Sequence, residues 1–144
     1  MKYYAVIDTN VLVSALLKWD SIPGTIMEFV FQGTILPLLN ESIAKEYQDV
    51  LSRPKFHLTE DIISTILSEI NQLGIYLDAP KTDILLPDPK DAVFYEIVMK
   101  GREKENAYLI TGNIKHFPVK PYVVTPRQML DIILQNMEKQ ETEE

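Results

Sequence analysis

The sequence predicts an α/β fold with a mainly parallel five-stranded sheet. Short apolar segments have the composition of buried strands, and amphipathic helical patterns separate them along the chain. This alternation is typical of parallel sheets, because each parallel connection must return to the other end of the sheet. The predicted strands are residues 3–7, 35–38, 75–77, 107–110 and 122–124.

Capping residues mark the helices between these strands. An apolar stripe beginning at Val11 predicts the first helix. Two glycines, Gly33 and Gly74, follow predicted helix ends, and Arg53-Pro54 stops the third helix at Ser52. The later helix starts are marked by Pro23, Asn40, Thr59, the pair Asp88-Pro89 and the pair Thr125-Pro126, with Gln128 completing a capping box.

Length and composition indicate one domain over residues 1–137, followed by a polar tail, residues 138–144, that we expect to be frayed. The chain has 144 residues, of which 46% are hydrophobic, and no cysteine. The missing cysteines exclude disulfides, zinc–thiolate sites and thiol catalysis. No apolar segment is long enough for a membrane span, and the N-terminal apolar run is too short for a signal peptide. We therefore expect a cytoplasmic protein without membrane contact.

The net charge of −7 is concentrated in two places. Residues 138–144 hold four Glu and one Lys, which gives −3 and leaves −4 for the rest of the chain. Four acids at the predicted site, Asp8, Glu46, Asp88 and Asp91, account for that remainder. A bound metal would offset them, so the negative total does not exclude a nucleic-acid partner. We expect modest non-specific affinity for nucleic acid and no extended basic groove.

Polar residues follow the first and fourth predicted strands directly. Asp8-Thr9-Asn10 follows one, and Thr111-Gly112-Asn113 follows the other. Parallel α/β sheets bind ligands at the carboxyl ends of their strands. Carboxylates gathered there without cysteine suit a hard cation such as Mg2+ or Mn2+. Two structural alternatives stay open, since Asp8 can cap the first helix and the other segment can be plain turn chemistry.

Glu46 is predicted to lie on the apolar face of the third helix. It is three residues after Ile43 and four before Val50. A buried carboxylate must be compensated or protonated, and a cation is one compensation. Alternatively, the side chain reaches the edge of the stripe or pairs with Lys45 or Lys55.

The segment Asp88-Pro89-Lys90-Asp91 also has two interpretations. Asp88 can cap a helix in which Asp91 favours the positive end of the helix dipole. In the functional interpretation Asp91 points into the site, and Asp88 holds the helix start or contacts metal-bound water. The two histidines, His57 and His116, have no partner at metal-site or triad spacing, and we interpret both as surface residues.

In this order, these motifs resemble the PIN-domain family of metal-dependent ribonucleases, in particular the toxin components of bacterial toxin–antitoxin pairs. The resemblance spans nearly the whole chain. The matching text is Val6-Ile7-Asp8-Thr9-Asn10-Val11, Glu46-Tyr47, Val50-Leu51-Ser52-Arg53-Pro54-Lys55-Phe56, Asp88-Pro89-Lys90-Asp91 and Tyr108-Leu109-Ile110-Thr111-Gly112-Asn113.

The resemblance implies a three-layer, flavodoxin-like α/β/α sandwich. It implies that Asp8, Glu46 and Asp91 are the catalytic acids and hold one or two Mg2+ or Mn2+ ions. Thr9, Asn10 and Thr111 would orient ligands or water, with Asp88 in support. It also implies an RNA substrate, an antitoxin partner and a homodimer, with contacts around residues 19–31.

One position departs from the family pattern. Asn113 stands where an aspartate usually follows Thr-Gly. Asparagine can coordinate a hard cation through its carbonyl oxygen but adds no charge, which puts a second metal in doubt. Two rival functions follow. One is a PIN-fold binding or regulatory protein with little catalysis. The other is a phosphoacceptor domain, against which Glu46 on a helix and the absence of a lysine directly after the fourth strand both count.

Overall fold

A computed structural model of the chain, which describes residues 1–143, confirms the α/β fold. Five strands form one sheet whose neighbouring strands are all parallel. The strands are β1 (Tyr3–Ile7), β2 (Ile35–Leu39), β3 (Ile75–Tyr76), β4 (Tyr108–Ile110) and β5 (Val123–Val124). All five lie where the sequence predicts them, although β3 and β5 are each only two residues long.

Six α-helices connect and cover the strands. They are α1 (Thr9–Leu17), α2 (Ile22–Phe31), α3 (Glu41–Leu51), α4 (Glu60–Leu73), α5 (Ala92–Gly101) and α6 (Pro126–Glu143). Short 3-10 turns lie at Pro54–Phe56, Pro89–Asp91 and Ile114–His116. The tail that was expected to fray from residue 138 is helical to Glu143, and Glu144 lies outside the described residues.

The order of the strands in the sheet is β3-β2-β1-β4-β5. The chain builds β1, β2 and β3 towards one edge and then returns to add β4 and β5 on the other side of β1. The order therefore reverses between β1 and β4, where Ile7 is in register with Ile110. Such a switch point is where parallel α/β sheets form their ligand crevice. It brings the residues after β1 and β4 together.

The core covers both faces of the central strands. Three consecutive residues of β1, Ala5, Val6 and Ile7, are all buried, although successive side chains point to opposite faces. A strand buried on both sides requires layers above and below the sheet, as in the predicted α/β/α sandwich. Among the described residues no helix combines the length and apolar character that crossing a membrane requires.

Side-chain caps fix most of the predicted helix starts. Asn40 accepts a hydrogen bond from the Ile43 N–H at 2.8 Å, and Thr59 accepts one from Ile62 at 3.2 Å. Thr125 and Gln128 form the reciprocal bonds of a capping box. The helix predicted to start at Asp88 begins later than expected. Asp88 caps the 3-10 turn Pro89–Asp91, and α5 begins only at Ala92.

Candidate active site

Asp8 lies at the switch point, directly after β1. Its carboxylate oxygen Oδ2 accepts a hydrogen bond from Thr111 Oγ1 at 2.7 Å and one from Asn10 Nδ2 at 3.3 Å. Asp8 occupies the N-cap position of α1, but its side chain makes no capping hydrogen bond. The capping alternative therefore does not account for this carboxylate, which is only 6% exposed.

The electrostatics of Asp8 show that the other acids are near it. Burial, followed by the nearby carboxylates of Asp91 and Glu46, raises the pKa of Asp8 to about 6, although the Thr111 hydrogen bond opposes the shift. Asp91 and Glu46 come from other parts of the chain than Asp8, and both act on its pKa. Among the described residues no lysine or arginine forms an ion pair with any of the three.

Glu46 faces the same region from α3. It is partly buried, and its Oε2 accepts a hydrogen bond from Thr9 Oγ1 at 3.0 Å. The next residue, Tyr47, is buried and donates its hydroxyl to the Ile7 carbonyl, which ties α3 to the end of β1. The alternative pairing with Lys45 or Lys55 is wrong, since neither forms an ion pair with Glu46 within residues 1–143.

Asp91 and Asp88 come from the 3-10 turn before α5. Asp88 is exposed, and its Oδ1 accepts a hydrogen bond from the Lys90 N–H at 3.0 Å, which holds the turn. Asp91 is partly buried, and its Oδ2 lies 3.3 Å from His116 Nδ1. Burial and Asp88 raise the pKa of Asp91, and His116 counteracts this shift. The Asp88 side chain therefore holds the turn, and the Asp91 carboxylate is near enough to Asp8 to raise its pKa.

The interpretation of His116 as a surface residue was incomplete. Its side chain is 43% exposed, but it contacts a candidate catalytic acid. No sequence signal identifies this contact, because Asp91 and His116 are far apart in the chain and meet only through folding. His57 is exposed, as predicted.

The turn Thr111-Gly112-Asn113, directly after β4, is hydrogen-bonded to the segment directly after β1. The Gly112 N–H donates to Asn10 Oδ1 at 3.1 Å, and the Asn113 N–H donates to Thr111 Oγ1 at 3.0 Å. A Cβ on Gly112 would lie 3.3 Å from Asn10 Oδ1, so this close approach favours glycine. Asn113 is exposed, and its side chain does not cap the turn after it. Its role as a metal ligand stays a prediction.

The donor chemistry around Asp8 fits a hard divalent cation. Burial raises the pKa of Asp8 and of Asp91, neighbouring carboxylates act in the same direction, and no lysine or arginine among the described residues pairs with either acid. Within the described part of the chain, however, no three side chains of His, Cys, Asp or Glu are arranged to hold a metal ion together. The carboxylates would have to move closer together to enclose a metal ion.

The comparisons with known proteins agree with this architecture. The PIN-domain family profile matches residues 4–115, a range that includes every predicted site residue. The uncharacterized protein MJ1680 of Methanocaldococcus jannaschii is 28% identical over 116 residues, which cover 78% of this chain and 72% of that protein. Because the profile spans most of the chain and the parallel sheet agrees with it, the protein belongs to the PIN-domain family, whose members are generally nucleases.

Proposed function

We propose that the protein is an endoribonuclease that depends on Mg2+ or Mn2+ and acts as the toxin of a cytoplasmic toxin–antitoxin pair. One observation supports this proposal above the others. The carboxylate of Asp8 is buried at the sheet's switch point, other carboxylates raise its pKa, and no basic side chain among the described residues pairs with it. A carboxylate in this situation is poorly stabilised by the protein alone and suits a cation.

The residues divide by role. Asp8, Glu46 and Asp91 would hold the cation, and Asn113 would add a neutral oxygen ligand. Their orientation depends on hydrogen bonds already present: the Thr111 hydroxyl fixes Asp8, and the Thr9 hydroxyl fixes Glu46. Asn10 connects the Asp8 and Gly112 segments, and Asp88 holds the turn that presents Asp91.

The chemistry would be hydrolysis of a phosphodiester bond. A divalent cation supplies Lewis acidity to the phosphate and makes the attacking water more acidic. The chain's carboxylates orient the reacting groups, and one of them accepts the proton of the water. Burial of the Asp8 side of the site limits competing solvent and strengthens these electrostatic interactions.

The test is a cleavage assay on structured and unstructured RNA with Mg2+ or Mn2+, and with a chelator. The wild type should cleave only when a cation is present, and Asp8→Asn should not cleave. The matched control is Asp20→Asn, since Asp20 is an exposed aspartate that follows α1. Cleavage that is unaffected by the chelator would contradict metal dependence. Absence of cleavage on every RNA would contradict the enzymatic proposal.

A second candidate is a PIN-fold protein that binds or regulates without efficient catalysis. Two observations favour it: the neutral Asn113 stands at the fourth acidic position, and the described residues contain no ready-made metal cage. The same assay separates the two functions if RNA binding is measured in parallel. Binding with no cation-dependent cleavage would favour this second candidate.

We also propose that the protein forms a homodimer and binds an antitoxin. The proposed dimer contacts are apolar side chains within residues 19–31, in particular Trp19, which is 38% exposed, stacks on Phe31 and donates its indole N–H to Glu28. Sedimentation should show a dimer that Trp19→Ala weakens. A wild type that stays monomeric at micromolar and higher concentrations would contradict the dimer.

A further inference from the structure

We propose that Lys90 and Lys115 bind phosphates of the RNA strand beside the acid cluster. The inference rests on the proposed ribonuclease function and assigns the residues that hold its substrate. It begins with the contact between Asp91 and His116, whose Oδ2 and Nδ1 atoms lie 3.3 Å apart. This contact places the 3-10 turns Pro89–Asp91 and Ile114–His116 side by side.

Each turn has a lysine directly before the contacting residue. Lys90 precedes Asp91, and Lys115 precedes His116. Both lysines are exposed, and within residues 1–143 neither forms an ion pair. Two free ammonium groups are therefore anchored next to the candidate active site, on turns whose backbones are held by hydrogen bonds from Asp91 N to Asp88 O and from His116 N to Asn113 O.

Other basic residues at this edge of the sheet are less available. Arg127, in the first turn of α6, lies 3.8 Å from Asp131. Lys81 precedes the turn Pro89–Asp91 in the chain by eight residues, and within residues 1–143 it forms no ion pair with the acids. The last residues before β1, β4 and β5 lie at the opposite ends of these strands and include Lys2, Lys104 and Lys120, while Lys100 and Arg102 lie at the C-terminal end of α5.

The charge of the site gives such lysines a role in RNA binding. The cluster of Asp8, Glu46 and Asp91, with Asp88 beside it, repels a phosphate backbone, and the whole chain has a net charge of −7. Lysine contacts phosphate as a point charge and carries no base preference. The geometry therefore predicts sequence-tolerant anchoring of the strand by Lys90 and Lys115, so that a neighbouring phosphate reaches the acids.

The experiment measures RNA affinity separately from cleavage. Asp8→Asn serves as the background in which RNA stays intact, and fluorescence anisotropy follows a short fluorescein-labelled single-stranded RNA of mixed sequence over a series of KCl concentrations. The test variant adds Lys90→Ala and Lys115→Ala. The matched control adds Lys104→Ala and Lys120→Ala, which remove the same charge from two exposed lysines at the opposite edge. The Lys90 N–H that bonds Asp88 is a backbone group and survives the substitution.

Removing two phosphate contacts should reduce the slope of log affinity against log salt by about 1.4, at about 0.7 per single-strand phosphate. Affinity should fall most at low salt, while the control pair keeps the slope of the background. Lys90→Arg with Lys115→Arg should restore the slope, because arginine keeps the charge. A test variant with the slope and affinity of the control would overturn the inference.

The outcomes separate this inference from the proposed function. If the wild type cleaves RNA but the Lys90 and Lys115 variant binds like the control, only the phosphate contacts are overturned. If the Lys90 and Lys115 variant shows the predicted slope change but the wild type never cleaves RNA, the ribonuclease proposal is overturned and the contacts stand. A wild type that does not cleave RNA, together with an Asp8→Asn background that does not bind it, would overturn both.

Discussion

The two halves of the candidate active site are built differently. Asp8 is buried at the end of a core strand and is held by hydrogen bonds from Thr111 and Asn10. Asp91 lies on a short 3-10 turn after a connection of 12 residues, numbers 77–88, that has no helix or strand, and its partner is the half-exposed His116. The Asp8 half is part of the buried core, whereas the Asp91 half is attached to the core through a turn and a long connection.

This difference indicates how the site would respond to a cation. Hydrogen bonds and packing fix the Asp8 half in a position where its own charge is unfavourable. No residue of the turn Pro89–Asp91 is buried, and segments without buried residues adjust at low free-energy cost. If the acids hold a cation as proposed, the Asp91 turn is therefore the half that would adjust to the ion, while the Asp8 half would stay in place.

The largest expected effect is on catalysis. Asp8→Asn and Asp91→Asn should each reduce RNA cleavage by more than about a hundredfold, because each removes a charged ligand or proton acceptor. Both variants should keep the fold by circular dichroism. If they cleave RNA as fast as the wild type and Asp20→Asn, neither half belongs to the active site.

The second effect concerns stability and pH in the absence of metal. The folded pKa of Asp8, about 6, lies above its ordinary value of 3.8, so the folded state binds the proton more tightly. Below pH 3.8 the Asp8 carboxyl is protonated in both the folded and the unfolded state, so it does not lower the free energy of unfolding. As pH rises from 3.8 to about 6, the unfolded state loses this proton before the folded state does, so the wild type loses free energy of unfolding, up to about 3 kcal/mol above pH 6.

Asp8→Asn should lack this loss and be the more stable protein at neutral pH. Urea denaturation with a chelator, at pH values below and above 6, measures the difference. Asp20→Asn controls for the general effect of removing a surface charge. If the free energy of unfolding of the wild type and of Asp8→Asn changes with pH in the same way, burial does not raise the pKa of Asp8.

A smaller effect should come from the Thr111 hydroxyl. Thr111→Val removes the donor to Asp8 Oδ2 and the acceptor of the Asn113 N–H, which should reduce stability by about 1–2 kcal/mol at neutral pH and raise the pKa of Asp8 further. Thr111→Ser keeps the hydroxyl and is the matched control. Equal denaturation midpoints for Val and Ser would mean that this hydrogen bond does not hold the buried half.

The smallest effect is expected at Asn113. Asn113→Asp should increase affinity for Mn2+ and raise cleavage modestly, because it adds a charged oxygen ligand. If Asn113 is only a turn residue, aspartate serves the turn nearly as well and metal binding does not change. Calorimetric titration of Mn2+ distinguishes these outcomes, and equal affinity and stoichiometry would remove Asn113 from the site.

The buried half was the more predictable one. Asp8 and Thr111 follow apolar strands directly, so local sequence and the geometry of parallel sheets place them together. The caps at Asn40 and Thr59 were predictable for a similar reason, because a cap and its helix are adjacent in the chain.

The attached half was less predictable because it depends on long-range packing. Two features depend on the path of the connection 77–88 through the structure. They are the contact between Asp91 and His116 and the start of α5 at Ala92 after a 3-10 turn. Glu46 is an intermediate case. Its helical face was predicted, but its partner Thr9, 37 residues away, was identifiable only from the structure.

The central claim is that the acids around Asp8 form a cation site, and titration of Mn2+ into metal-free protein tests it most directly. The wild type should bind Mn2+ at neutral pH, and near pH 6, where the Asp8 carboxyl is partly protonated, binding should release protons. Asp8→Asn should bind far more weakly and release fewer protons, while Asp20→Asn should match the wild type. Equal affinity, stoichiometry and proton release in the wild type and Asp8→Asn would contradict the claim.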